Sequence, residues 1–145
     1  EEAVEELAAL DMAAAMEHLV QLVQIDPNER VRRQALEEME NGTAATAVPF
    51  LMAVSNDRDG QSLRVRQEAV ASLGAFDLED VRDHLNTLAW SDEQERIRKQ
   101  AIESLADMTS NGSHALLLEL ARSHPSADTR EEAMEQLTDK LDLDF

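Results

Sequence analysis

The strongest constraint in this chain is a nine-residue stretch that it writes four times. Val31-Arg32-Arg33-Gln34-Ala35-Leu36-Glu37-Glu38-Met39 returns as Val65-Arg66-Gln67-Glu68-Ala69-Val70-Ala71-Ser72-Leu73, and again as Ile97-Arg98-Lys99-Gln100-Ala101-Ile102-Glu103-Ser104-Leu105. A fourth copy, Thr129-Arg130-Glu131-Glu132-Ala133-Met134-Glu135-Gln136-Leu137, keeps every apolar position but the first. The arginines stand at 32, 66, 98 and 130, in steps of 34, 32 and 32 residues. At about 100° per residue the four apolar positions share one arc of a helix, and the motif arginine lies inside that arc. A repeat of this length cannot bury such a face alone. The pattern predicts an all-α chain, a right-handed α-α superhelix (a solenoid) of antiparallel helix pairs. A second ladder agrees: Leu19, Leu51, Leu85 and Leu117 step by 32, 34 and 32 residues. In both ladders the long step crosses the same inserted loop, Ser55-Asn56-Asp57-Arg58-Asp59-Gly60.

These ladders divide a single solenoid domain, 1–145, into the end of a truncated repeat (1–10), four repeats (11–42, 43–76, 77–110 and 111–140) and a tail (141–145). Ala3, Val4 and Leu7 stand 32 residues before Ala35, Leu36 and Met39, which implies a segment of a longer solenoid. Asp11 is expected to cap a helix running to about Gln24. Asp26-Pro27-Asn28-Glu29 reads as N-cap, first helical proline and capping-box Glu, opening a helix that ends at Asn41-Gly42. Pro49 is expected to kink or delay the next helix, of about 43–55. Further helices follow over about 62–74, Leu78–Trp90, a stretch opened by the Ser91–Glu95 cap and reaching about Met108, 113–123 and 126–140. Asn111-Gly112 is read as a break and Ser126 as a cap.

Composition narrows the partner. Net charge is −18, from 31 acids against 13 bases. That field repels phosphate backbones and anionic lipid, so nucleic acid and membrane surfaces are disfavoured; it favours a basic protein surface, a basic peptide or cations, the plain alternative being that the acidity serves solubility alone. Aromatics make up 3%, offering few platforms for bases or flat cofactors. Without cysteine there is no disulfide, zinc-thiolate site or thiol nucleophile. No apolar run reaches the roughly 18 residues of a membrane span, and no signal peptide is visible in this segment.

A helix pair with an Asp- or Asn-bearing turn, followed by Val-Arg-x-x-Ala-apolar-x-x-Leu, resembles the HEAT-repeat superfamily. It is most similar to the short bacterial type called PBS-lyase HEAT-like repeats. The resemblance implies a non-enzymatic scaffold for protein partners. It also implies that the motif arginine is structural and hydrogen-bonds between neighbouring repeats, often to the turn Asp. Carried over, that ladder is Arg32, Arg66, Arg98 and Arg130, with Asp26 and Asp92 as turn acids. The second repeat offers Asp57 or Asp59, and the fourth departs from the pattern with His124. Second helices line the concave side in that family. The arc opposite the apolar one then becomes the candidate partner-binding face: Arg30, Gln34, Glu37, Arg64, Glu68, Arg96, Gln100, Glu103, Glu132 and Glu135, with Ala71 and Asp128 at the remaining places. An Arg row beside a longer acid and Gln row suits an extended or helical segment bearing basic residues. The family name also carries an alternative, an accessory subunit of a bilin lyase-isomerase, which needs a chromophore pocket that scarce aromatics do not favour.

Chemistry is not expected. His18 and His84 share one repeat position with Phe50 and Leu116, which points to packing. His114 and His124 lack a zinc-helix partner at i,i+4. HEAT-like iron hydroxylases need His-Glu dyads, and the residues after the four histidines are Leu19, Leu85, Ala115 and Pro125. The inserted loop resembles a calcium loop only faintly, because its first and twelfth places are Ser55 and Arg66. Phosphate-binding glycine motifs are missing, and Trp90 is expected to pack beneath the adjoining turn. No metal and no cofactor are called for.

Overall fold

Strong helix formers fill the stretches between turn residues, and the chain folds them as helices. The computed structural model describes residues 2–108 and 111–141, with side chains described for 11–108 and 112–139. The helices are α1 (Glu2–Ile25), α2 (Glu29–Glu38), α3 (Ala44–Asn56), α4 (Leu63–Leu73), α5 (Glu79–Ser91), α6 (Glu95–Asp107), α7 (Asn111–Ser123) and α8 (Ala127–Leu141). A 3₁₀ turn, Met39–Asn41, prolongs α2. Among the described residues there is no strand, and no helix is long and apolar enough to cross a membrane.

Contacts group the chain into two compact units, Glu1–Ala69 and Val70–Phe145. In the first, α1 packs against α2 and α3. In the second, α5 pairs with α6 and α7 with α8, while α6 also meets α7 and α8, and α5 meets α7. This is an all-α architecture of helices packed in adjacent pairs. Motif residues make the seams. Ala35, Leu36 and Met39 are buried in the first unit; Ile97, Ala101, Ile102 and Leu105 are buried in the second. Each buried Leu contributes about 1.5–3 kcal/mol of transfer free energy.

Four local expectations are corrected. No helix starts at Asp11, because α1 runs unbroken from Glu2 to Ile25. Met12 and the alanines at 13, 14 and 15 carry the helix straight through the exposed aspartate. The cap of α2 is Asn28 rather than Asp26, with its side chain accepting the Arg30 N–H at 2.9 Å. Pro49 sits inside α3, which begins upstream at Ala44, so the proline delays nothing. Pro49 and Ala45 are both exposed, and water can reach the Ala45 carbonyl that the proline leaves without its helical donor. Asn111 and Gly112 are the first residues of α7 rather than a break before it. The apolar match of 1–10 to later repeats, and the tail beyond Leu141, lie outside the described side chains.

Gly42 follows the 3₁₀ turn without left-handed backbone; a Cβ there would meet the flexible Met16 Cε of α1 and stand 3.2 Å from the Met39 carbonyl oxygen.

Candidate protein-binding face

Each second helix is anchored at its first turn by its motif arginine, and the acceptors are backbone carbonyls. Nη1 of Arg32 donates to the Asp26 carbonyl at 2.8 Å, and Nη1 of Arg98 to the Asp92 carbonyl at 2.7 Å. Nη1 of Arg130 donates to the His124 carbonyl at 2.6 Å. The turn side chain has another task. Oδ1 of Asp26 accepts the Asn28 N–H, and Oδ1 of Asp92 accepts the Gln94 N–H. In the fourth repeat Nδ1 of His124 accepts the Ser126 N–H at 3.0 Å, so the imidazole does the work of the aspartate. An accepting Nδ1 leaves the proton on Nε2, which then donates to the Trp90 carbonyl at 3.2 Å. The Trp90 ring lies against His124, with centroids 5.2 Å apart.

In the second repeat a carbonyl at the start of the inserted loop also serves as an acceptor. Nε of the buried Arg66 donates to the Ser55 carbonyl at 2.8 Å, near the end of α3. Asp57 is turned instead to the Gly60 N–H within the loop. One motif arginine also bonds across repeats: Nε of Arg98 donates to Oγ1 of Thr129 at 3.2 Å. That threonine is the apolar position the fourth copy fails to keep.

With the inner edges fixed, the opposite edges of α2 and α4 face one groove of about 630 Å³. Arg30, Gln34, Glu37, Arg64 and Glu68 line it, together with Asn28, Glu29 and Arg33. Three arginines meet three glutamates there, and among the described residues no ion pair closes between them. Burial raises the Glu68 carboxyl above its ordinary range; Arg33 works against that rise and Glu37 adds to it. Asn28, Glu29 and Arg33 escape the helical-wheel reading. Arg33 was legible, since a residue three places after Arg30 shares its face.

In the second unit the same edges carry a different balance. Lys99 forms an ion pair with Glu95 at 3.4 Å, one turn away on α6. Glu103 is largely exposed, yet partial burial raises its carboxyl, and Glu132 and Asp107 push the same way while Lys99 opposes them. Glu132 accepts from Gln136 at 3.3 Å. Glu135 belongs elsewhere on α8, in a shallow groove of about 380 Å³ with Glu131, Met134, Thr138 and Asp139. Arg96 is exposed near the start of α6, and Gln100 is half-buried.

A family model describing HEAT repeats matches residues 58–138, more than half of the chain. The chain belongs to the HEAT-repeat family. A search of curated proteins found no match. HEAT repeats generally mediate protein–protein interaction, and the family is typically a non-catalytic scaffold. In this HEAT chain the histidines sit as packing or exposed residues. His18 is exposed, His84 is half-buried with its imidazolium form disfavoured by burial, and His124 is built into a turn. Among the described residues no three His, Asp or Glu side chains converge as a metal site requires.

Proposed function

We propose that this chain is a non-enzymatic protein-interaction scaffold, and that its second helices present the binding face to a protein or peptide carrying basic residues. The observation that supports this reading most is the α2–α4 groove. Six charged side chains line it without closing ion pairs among the described residues, so their hydrogen-bonding capacity is left to solvent or a partner. The second unit adds Glu103, whose carboxyl is raised first by partial burial and then by the charges of Glu132 and Asp107, so that an incoming cation relieves it. The overall charge of −18 steers basic ligands toward both. No aromatic side chain lines the groove, so nothing there favours a bilin-handling role.

Selection of short random peptides on the folded chain tests the proposal. The expected ligands are enriched in Lys and Arg. Changing Glu37, Glu68 and Glu103 together to Lys weakens them at least about tenfold, the scale of losing a charged hydrogen bond. Ligands without a basic preference, or equal binding by the triple variant, would sink it.

A further inference from the structure

The α2–α4 groove is not evenly charged along its length. Arg30 and Arg64 are each the second residue of their helix, where free N–H groups and the helix dipole add positive potential. Glu37 and Glu68 stand further along the same helices. The repeat register sets Arg64 level with Arg30 and Glu68 level with Gln34, and all four line the groove. Glu29 shares that end but is outnumbered by the two arginines.

We infer that this groove is a bipolar socket for one peptide segment of a protein partner: its arginine end takes an acidic side chain and its glutamate end a basic one. At 1.5 Å per residue, Arg64 to Glu68 spans about 6 Å and Arg30 to Glu37 about 10 Å, so the segment carries its acid and base at about that separation. The inference rests on the interaction-scaffold reading and sharpens it.

Two observations favour an anionic group at the arginine end. Arg64 and Glu68 are one turn apart, the spacing at which helical ion pairs form, yet no ion pair closes between them. Nε of Arg33, between the two poles, is sealed from solvent without a partner, so that guanidinium enters binding already partly desolvated. Further along the chain the pattern changes by degrees: α6 keeps Arg96 at the place of Arg30 and Arg64 but answers Lys99, at the place of Arg33, within its own helix through Glu95, and α8 has Asp128 at the arginine place.

The test starts from the strongest library-selected peptide, with its charged positions varied among Asp, Glu, Lys, Arg and Ala and reselected on the parent and on an R30E/R64E variant. Both arginines are exposed, and circular dichroism checks that the variant folds. On the parent, reselection keeps one acidic and one basic position. Replacing the acid by Ala weakens parent binding at least about tenfold and leaves the variant unchanged, while the variant prefers a base there. If every retained position is basic on both proteins, the socket inference is overturned while the basic-partner reading stands. Indifference to R30E/R64E and to E37K/E68K alike overturns both.

Discussion

The two units repeat one motif, and they part at the places where the motif's polar residues look for partners. In the first unit the groove edges hold Arg30, Arg33 and Arg64 against Glu29, Glu37 and Glu68, a balance left open. In the second, Lys99 is engaged by Glu95 and carboxylates dominate what remains. The inner edges differ in the opposite sense. Nε of Arg98 reaches Thr129, whereas Nε of Arg32 is buried without a partner, and the place matching Thr129 is Val65. The second unit pairs the Nε of motif arginine Arg98 and keeps an acidic face; the first leaves the Nε of Arg32 and of Arg33 buried without a partner. A repeat fixes the core, while its non-repeated residues decide what each unit offers a partner.

The comparison breaks first at the core if the units are not equivalent there. Leu36→Ala and Leu105→Ala each remove a fully buried side chain and should each cost about 2–5 kcal/mol in chemical denaturation. A loss below 1 kcal/mol in either, on that scale, would show that its motif does not carry the packing.

The inner edge can be exchanged between units. Thr129→Val removes the acceptor of Arg98 and should cost about 1 kcal/mol. Val65→Thr offers Arg32 the acceptor it lacks, so it should fall within about 0.5 kcal/mol of the parent rather than showing the 1–3 kcal/mol of an unpartnered buried hydroxyl. A full penalty at Val65 would mean that the two arginines are not equivalently placed.

The smallest effect lies on the acidic face. Glu103 holds its proton more tightly in the fold than at its ordinary value of 4.5. Between that value and the raised one the native state carries more protons, so stability falls as pH rises through the window. The penalty is complete at neutral pH and absent below the ordinary value. Glu103→Gln should therefore stabilise by a few tenths of a kcal/mol at neutral pH, a small figure because the residue is largely exposed, and by nothing in acid. Thermal melts at the two pH values check the sign.

How much of this was legible follows from which interactions are local. The period, the inserted loop and the inward arc came from spacing alone, since helix faces are fixed by about 3.6 residues per turn. Helix starts were less legible. Asp11 is a good cap by type, but the alanines beyond it let α1 run through. Asp26 and Asp92 have cap chemistry too, yet the N–H each accepts belongs to the residue just before its helix, Asn28 or Gln94. His124 broke the aspartate pattern in sequence and kept it in structure, because the arginine needs only a carbonyl. Across helices the wheel could name Arg30, Gln34 and Glu37 on one face, and Arg33 by its spacing, but not that Asn28, outside the helix, joins them beside α4.

The most direct test of the account maps a library-selected ligand onto the chain by amide chemical-shift changes in nuclear magnetic resonance. Binding at this face should shift the solvent edges of α2, α4, α6 and α8, most of all around Arg33, Glu37 and Glu68. Shifts confined to α1, α3, α5 and α7, or to the inserted loop, would contradict it.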